Sequence, residues 1–252
     1  MKESILKCTH LCKTYYSDEV EFNALKNVKL EIQKGEFVAI MGQSGSGKST
    51  LLYTLSGMDS ITSGEVFING SQINEAEPKE MTKIRRDNIG FIFQGINLVS
   101  NLSLYENIVV PGYLTKASKK EINKRAKVLL EKMDLEQHIN KLPSQVSGGQ
   151  KQRAAIARSL INQPDILFAD EPTGALNSSS GKAVLELMNE FNKEGQTIVM
   201  VTHDIKSASF ANRVIFLHDG RIDGELNLEK YKMTNPAEQE QTIFNFLSKK
   251  GW

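Results

Sequence analysis

The run GQSGSGKST, Gly42 to Thr50, decides the fold of this chain. It follows the apolar stretch FVAIM, Phe37–Met41, and four residues separate Gly42 from Gly47-Lys48-Ser49. A strand, a glycine-rich turn and a helix in this order form a phosphate-binding loop. Glycines let the backbone wrap closely around phosphate oxygens, while successive amide hydrogens point inward. The sequence therefore predicts a nucleoside triphosphate site at this turn.

The polar side chains of the loop have distinct expected contacts. Lys48 is expected to reach the β- and γ-phosphates, and the Ser49 hydroxyl to ligate Mg2+. Thr50 is expected on the α-phosphate side. The predicted ligands are ATP and Mg2+. The nucleotide-binding residues predicted from this run are Gly42, Ser44, Gly45, Ser46, Gly47, Lys48, Ser49 and Thr50.

An acidic element follows a second apolar run, ILFAD at Ile166–Asp170. Four apolar residues predict a buried strand, with Asp170 at its carboxyl end, where open α/β sheets bind ligands. That carboxylate is placed to hold the magnesium through water. Glu171, the next residue, can polarise an attacking water. Together with the loop, this element predicts hydrolysis of the triphosphate.

The stretch SGGQ, Ser147 to Gln150, precedes a helical sequence, QKQRAAIARSLIN. Small residues leave amide groups exposed at a helix N-terminus, which makes a second anion site. The chain then has two phosphate-binding surfaces about a hundred residues apart. Both can serve one nucleotide only across an interface. The sequence therefore predicts a head-to-tail dimer of two copies with two ATP molecules between them.

Length and composition argue against several classes of protein. The chain has 252 residues, of which 40% are hydrophobic and 24% charged, an ordinary globular composition. A net charge of +1 argues against bulk nucleic-acid binding. No apolar run approaches the ~18–20 residues that span a bilayer, and the N-terminus has no apolar signal core. We expect a soluble intracellular protein whose membrane role comes through a partner.

Strands are predicted at Ile5–Thr9, Val28–Ile32, Phe37–Met41, Gly64–Gly70, Ile89–Phe93, Ile166–Asp170, Thr197–Thr202 and Arg213–Leu217. Between Gln94 and Leu142 the character changes, because Lys119–Met133 has the apolar stripe of an amphipathic helix. A helical insert therefore interrupts an alternation of strands and helices. Helices are also predicted from Gly47 to about Met58 and over Pro78–Arg86.

The tail predicts one more helix, with Asn235 as its N-cap. Its expected apolar face consists of Ile243, Phe244, Phe246 and Leu247. Two readings of this face stay open. The helix packs on its own domain, or it docks to a partner.

These motifs together resemble the ATP-binding subunits of ABC transporters, over roughly residues 3–222. The resemblance implies an α/β P-loop NTPase with a RecA-like core, an N-terminal antiparallel β part and an inserted α-helical subdomain. The implied division has core segments at 1–93 and 163–222, a helical subdomain at 94–162 and a C-terminal extension at 223–252.

The resemblance also implies roles by position. Glu171 becomes the catalytic base, His203 in VMVTHD the γ-phosphate sensor, and Tyr15 the aromatic ring against adenine, with Tyr16 adjacent to it. The signature motif consists of Ser147, Gly148, Gly149 and Gln150. The implied catalytic set is Glu171, His203, Gln94 and Lys48, and the metal set is Ser49, Gln94 and Asp170.

Gln94 has a second implied task, because it heads the segment that touches a membrane permease near residues 94–112.

One departure from the family pattern follows the acidic pair of Asp170 and Glu171: GALN, ending at Asn177, stands where the family reads SALD. Asparagine keeps the hydrogen-bonding shape of aspartate and loses its charge. We therefore expect slower turnover than Asp would give.

The phrases GFIFQ, ADEPTGAL and IVMVTHD are similar to a branch with macrolide exporters, lipoprotein-release ATPases and bacitracin-type peptide-resistance transporters. The stretch NLVSNLSLYENIVVP most resembles the peptide-resistance group. This implies a peripheral subunit at the cytoplasmic face of the membrane, which exports or detaches antimicrobial peptides. A sensor histidine kinase, reached through the permease, is a further implied partner. The alternatives are an ATP-driven regulator of such a kinase or of a cell-wall hydrolase, and a lipoprotein or macrolide export ATPase.

Overall fold

The structure is a computed structural model that describes residues 3–17, 20–228 and 236–252. Within these ranges the chain forms a mixed α/β fold with one antiparallel and one mostly parallel sheet. The predicted fold class, a P-loop NTPase with an N-terminal antiparallel part, is confirmed. No helix of the described ranges is both long and apolar enough to cross a bilayer.

The antiparallel sheet contains the strands β1 (Ser4–Ser17), β2 (Val20–Gln33), β4 (Ser63–Ile68) and β5 (Ser71–Gln72) in the order β2-β1-β4-β5. The first two strands have 14 residues each, well beyond the predicted Ile5–Thr9 and Val28–Ile32. Register shifts between Cys8 and Leu11, and again before Thr14, explain the shortfall. A bulge breaks the alternation of side chains while the backbone ladder continues.

The second sheet contains β3 (Phe37–Met41), β6 (Ile89–Ile92), β7 (Ile166–Asp170), β8 (Thr197–Val201), β9 (Arg213–His218) and β10 (Arg221–Asn227). Their order is β10-β9-β3-β8-β7-β6, and only the β9–β10 pair is antiparallel. Every residue of β3, β7 and β8 is buried. Strands covered on both faces have unbroken apolar sequences, and the predicted bounds of these three strands therefore lie within one residue of the observed ones.

The α-helices are α1 (Lys48–Leu55), α2 (Pro78–Asn88), α3 (Leu104–Tyr113), α4 (Lys119–Lys132), α5 (Gly148–Leu160), α6 (Ser178–Lys193), α7 (Ile205–Ala208) and α8 (Pro236–Ser248). Single 3-10 turns lie at Glu136–His138 and Pro143–Gln145. The stripe predicted on α4 is confirmed, since Ile122, Ala126, Leu129, Leu130 and Met133 are buried.

The parallel sheet separates two hydrophobic cores. On one face, Val38 and Ile40 of β3 pack with α1 and the antiparallel sheet. On the other face, Phe37, Ala39 and Met41 pack in one core with α3 to α8. The predicted helical insert therefore shares its core with the sheet.

At the C-terminus, the structure differs from the prediction at Phe244, and the predicted domain boundary falls within a strand. The predicted boundary at 222/223 cuts through β10, which pairs with β9 as an edge strand of the sheet. On α8, Ile243 and Leu247 are buried and Phe246 packs against the core, but Phe244 is 49% exposed because it lies on another side of the helix. The reading that α8 packs on its own domain is thus supported, and the predicted cap Asn235 lies outside the described residues.

Candidate active site

The phosphate-binding loop lies between β3 and α1, at the carboxyl edge of the parallel strands. At Gly42, a Cβ would lie 2.2 Å from the carbonyl oxygen of Leu217. Gly47 has a φ of +99°, and its Cβ would lie 2.6 Å from the carbonyl oxygen of Ala24. Only glycine meets both requirements without displacing a neighbouring strand. The two glycines that define the sequence pattern are therefore needed by the fold of the loop itself.

Lys48 folds back across this loop. Its Nζ donates hydrogen bonds of 2.8 Å to the carbonyl oxygens of Gly42 and Gln43. Burial lowers the pKa of Lys48, and the charges of Glu171 and Asp170 oppose that shift. The ammonium group therefore occupies the centre of the loop, near enough to both carboxylates to interact with their charges.

The loop also contains an unpartnered polar atom. Among the described residues, none forms a hydrogen bond with the buried Oγ of Ser46. A buried hydroxyl without a partner costs about 1–3 kcal/mol, and a phosphate oxygen inside the loop could accept its hydrogen. The residues present therefore fit a phosphate group.

Ser49 and Asp170 meet beside the loop. The Ser49 hydroxyl donates to Oδ1 of Asp170 at 3.0 Å, and Asp170 is buried at the end of β7. One helical turn further on, burial and then the contact with Asp170 raise the pKa of Tyr53 to about 12. A hydroxyl and a carboxylate are the hard oxygen donors that Mg2+ prefers, with water and phosphate completing its octahedron. This pair therefore fits a magnesium ion.

Glu171 lies between two other predicted catalytic side chains. Nε2 of Gln94 donates to its Oε2 at 3.1 Å, and Nδ1 of His203 lies 2.9 Å from its Oε1. The Glu171 backbone has a φ of +43°, and its amide donates to the carbonyl of Val201 at 3.0 Å. Such a conformation is unfavourable for a non-glycine residue and persists where surrounding contacts fix it. The carboxylate is thus held toward the segments that follow β6 and β8.

Tyr15 lies on β1 beside the start of α1. Its hydroxyl donates to Oδ2 of Asp59 at 2.7 Å, and Nζ of Lys13 lies 4.7 Å from the ring centroid. Burial, followed by the Asp59 contact, raises the pKa of Tyr15, while a hydrogen bond from Thr50 opposes the rise. Neighbouring Tyr16 pairs with Glu21, is 72% exposed and points to the opposite face of the hairpin. Of the two tyrosines, only Tyr15 adjoins the loop.

The signature residues form the first turn of α5. The Ser147 hydroxyl accepts from the amide of Gln150 at 3.2 Å, and Oε1 of Gln150 accepts from the amide of Ser147 at 2.9 Å. Ser147 and Gly148 are exposed, whereas Gly149 packs against Ser180 of α6. Across the described ranges, no hydrogen bond or ion pair joins these four residues to the phosphate-binding loop.

The structure thus brings together six of the predicted residues and leaves the signature outside this cluster. The clustered residues are Lys48, Ser49, Gln94, Asp170, Glu171 and His203. They follow the ends of β3, β6, β7 and β8, and the carboxyl ends of parallel strands meet at one edge of a sheet.

Sequence reasoning missed several residues that support the site. Buried Gln152 of α5 donates from Nε2 to the carbonyl of Pro172 at 2.8 Å, directly after Glu171. Lys13 and Asp59 hold the Tyr15 ring. The only available signal for Gln152 is its spacing of three and four residues from Ala155 and Ile156, which places it on the apolar face of a helix. Nothing local in the sequence indicates the pair of Lys13 and Asp59.

Comparison of the sequence and the fold with known proteins points to one family. The family model for ABC transporters matches residues 25–174. The ABC transporter ATP-binding protein MJ0796 of Methanocaldococcus jannaschii is 47% identical over 232 residues, which cover 90% of this chain and 99% of that protein. A dimeric, post-hydrolysis structure of MJ0796 bound to ADP and Pi has a TM-score of 0.82 at 46% identity, covering 89% of this chain and 99% of the other.

Two further relatives have names that specify a transported compound. The bacitracin export ATP-binding protein BceA of Halalkalibacterium halodurans is 40% identical over 247 residues, 98% of this chain and 95% of that protein. The macrolide export ATP-binding/permease protein MacB of Neisseria meningitidis is 41% identical over 249 residues. That match covers 99% of this chain but only 38% of MacB.

Proposed function

Because the chain belongs to the ABC transporter family of ATP-binding proteins, we propose that it powers the export or detachment of antimicrobial peptides of the bacitracin or lantibiotic type. The protein is an ATPase and the ATP-binding subunit of a transporter. One observation supports the peptide class above all. The bacitracin export ATP-binding protein BceA is 40% identical to this chain over 247 residues, which cover 98% of it.

In this proposal, the nucleotide is bound by three groups of contacts. The loop amides and the unpartnered Ser46 hydroxyl donate to phosphate oxygens, and Lys48 leaves its two carbonyl partners to reach the β- and γ-phosphates. Thr50 contacts the α-phosphate side. Tyr15 stacks on adenine with the ring face that Lys13 leaves open.

Glu171 is the proposed general base. Its carboxylate accepts a proton from a water that attacks the γ-phosphorus, while Gln94 and His203 hold it in position. With Nδ1 of His203 directed at Glu171, Nε2 is the ring nitrogen left for the γ-phosphate. Ser49, Asp170 and Gln94 would hold Mg2+, which neutralises charge on the β- and γ-phosphate oxygens when bound.

A second copy is proposed to complete each site. The exposed first turn of α5, Ser147 to Gln150, offers amide groups and a helix N-terminus to the γ-phosphate of the facing copy. Support comes from the dimeric state of the MJ0796 structure with ADP and Pi. The separation of this turn from the loop within one chain agrees with a site shared between two copies.

A membrane permease is the proposed second partner, and through it the chain is peripheral to the cytoplasmic face of the membrane. The proposed docking segment, residues 94–112, contains the exposed apolar side chains Val99 and Val110, 49% and 43% exposed. Gln94 begins this segment and contacts Glu171. A movement of the Glu171 carboxylate would therefore be transmitted through Gln94 to the docking segment. The combined ATP-binding/permease name of MacB supports a partner of this class.

Macrolide export is the second candidate, because MacB is 41% identical over 99% of this chain. The regulator of a sensor kinase or hydrolase has less support. Slow turnover and a free apolar helix face would suit a regulator, but Asn177 caps α6 and the apolar face of α8 is largely used in the core.

The decisive experiment compares substrates in the complete transporter. The ATPase and its copurified permease are reconstituted in vesicles, and hydrolysis is measured with bacitracin, a lantibiotic or a macrolide, each alone. We expect stimulation by the peptides and none by the macrolide. Cells lacking the chain should lose peptide resistance and regain it with the parental gene but not with Glu171→Gln. Stimulation by the macrolide alone would transfer the assignment to macrolide export.

A further inference from the structure

The end of the C-terminal helix contacts the phosphate-binding loop. The side-chain amide of Gln43 donates a hydrogen bond of 2.9 Å to the backbone carbonyl of Gly251, 208 positions along the chain. Gln43 lies within the loop but is not among its predicted phosphate-binding residues. The family model ends at residue 174, so it assigns nothing to Gly251.

Backbone geometry fixes the direction of that carbonyl. The amide of Trp252 donates to the carbonyl of Leu247 at 3.1 Å, and the amide of Gly251 donates to that of Ser248 at 3.3 Å. Gly251 has a φ of +81°. These two hydrogen bonds around a left-handed glycine form a Schellman motif, a rigid way to end a helix.

Side chains anchor this helix end on the strands beneath the loop. The Trp252 ring meets the ring of Phe216 edge-on, with centroids 6.1 Å apart. Phe216 of β9 pairs with Met41, the last residue of β3 before the loop. Lys250 adds an ion pair of 3.5 Å with Asp223 of β10. The helix end therefore contacts both the loop and the strand beside it.

Gln43 connects this anchor to the proposed phosphate ligand. Its side chain is held by Gly251, and its own carbonyl accepts a hydrogen bond of 2.8 Å from Nζ of Lys48. Lys48 leaves this carbonyl to reach phosphate, whereas the Gly251 contact does not depend on Lys48 and still limits the conformations of the first turn of the loop.

We propose that Gly251 and Trp252 are positioning residues that act through Gln43 to preorganise the loop for nucleotide. This inference rests on the proposed nucleotide site at Lys48. A preorganised loop loses less conformational freedom when a ligand binds. Removing the contact raises the Kd for nucleotide about two- to tenfold, the range that corresponds to one neutral hydrogen bond. The kcat for ATP stays unchanged in the Gly251 and Trp252 variants, because neither residue belongs to the loop or touches the reacting atoms.

The test uses three variants of the full chain and a matched control. Gln43→Ala, Trp252→Ala and Gly251→Ala each disturb the contact. Gly195→Ala is the control, because its φ of +103° is also left-handed and its added Cβ, like that at Gly251, meets no atom within 4 Å. Gly195 follows α6 and precedes β8, at the edge of the sheet away from the loop.

Binding of a non-hydrolysable ATP analogue is measured by calorimetry, beside KM, kcat and Tm. We expect all three contact variants to raise Kd and KM and the control to lower only Tm. Gln43→Ala combined with Trp252→Ala should raise Kd no further than either alone, because both remove one interaction. Additive effects, or an equal rise in Gly195→Ala, would overturn the proposal.

Lys48→Ala separates this inference from the site on which it rests. If Lys48→Ala binds the analogue as tightly as the parent, the proposed nucleotide site is wrong. If Lys48→Ala weakens binding and the three contact variants do not, only the positioning role is wrong.

Discussion

Nδ1 of His203 lies 2.9 Å from Oε1 of Glu171. An amide in place of this carboxylate keeps its size but cannot accept a proton from water. We therefore expect Glu171→Gln to lower the rate of ATP hydrolysis by about 10²–10⁴-fold, the usual contribution of a general base. Nucleotide binding should be retained, and a closed dimer should accumulate with ATP. Hydrolysis assays and size-exclusion chromatography with ATP check both effects.

The matched control for this variant is Glu186→Gln. Glu186 is an exposed residue of α6 that pairs with Lys182 four residues earlier. It should hydrolyse ATP at the parental rate. A Glu171→Gln protein with parental hydrolysis would remove Glu171 from the role of base.

The pair of Lys13 and Asp59 predicts a pH-dependent contribution to stability. Burial acts to raise the pKa of Asp59, but the hydrogen bonds from Lys13 and Tyr15 outweigh it and the pKa lies below its ordinary value of 3.8. A pKa that is lower in the folded state makes a carboxylate stabilise the fold above the unfolded value and lose this effect as pH falls through the folded one. Asp59→Asn should therefore lower the free energy of unfolding at pH 7, by about 1 kcal/mol.

Urea unfolding across a pH series measures this difference. It should be constant between pH 7 and about 5 and shrink below about 4, where the unfolded carboxyl becomes protonated. Asp134→Asn is the control, since that carboxylate is 96% exposed and its ion pair with Arg153 is 4.0 Å long. A difference that persists in acid would mean that the Asp59 charge is not what stabilises the parent.

The sequence located the parts of the fold whose patterns are uninterrupted. The prediction for Phe37–Met41 and Ile166–Asp170 matches β3 and β7 to the residue, because both strands are buried along their whole length. Both strands also end at the phosphate-binding loop or the acidic pair, so the centre of the site was predictable with them. Bulged β1 was not predictable in full, because its register shifts break the period on which the inference relies.

Contacts between residues far apart in the sequence could not be predicted. The bond from Tyr15 to Asp59 spans 44 positions and the bond from Gln43 to Gly251 spans 208. Neither pair has a local sequence pattern, because each joins residues that only the tertiary fold brings together. The site could thus be predicted where one motif carries the chemistry, and not where a remote residue supports it.

Asn177 stands where the family pattern has aspartate, and a substitution can test the effect of that difference. Its Oδ1 accepts hydrogen bonds of 2.9 Å from the amide of Ser180 and the hydroxyl of Ser179, which caps α6. Aspartate can make the same bonds and adds a charge that a helix N-terminus favours by about 0.3–1 kcal/mol. We expect Asn177→Asp to keep the fold and to raise the rate of ATP hydrolysis. Thermal unfolding and steady-state assays measure the two effects.

The companion variant Asn177→Ala separates capping from charge. Loss of the cap should cost about 1 kcal/mol of stability. If Asn177→Asp hydrolyses ATP no faster than the parent, the missing charge does not limit turnover.

Ser147 offers the sharpest test of a site shared between two copies, because the chain contains a structural match for it. Ser118 and Ser147 both begin a helix with a complete capping box. Replacing either with alanine should cost about 1 kcal/mol of stability through the lost cap. Only Ser147→Ala should also reduce ATP-driven dimerisation, because only the first turn of α5 is proposed to face the nucleotide of another copy. Light scattering with ATP in the Glu171→Gln background measures the dimer, and equal losses in both variants would assign Ser147 to helix stability alone.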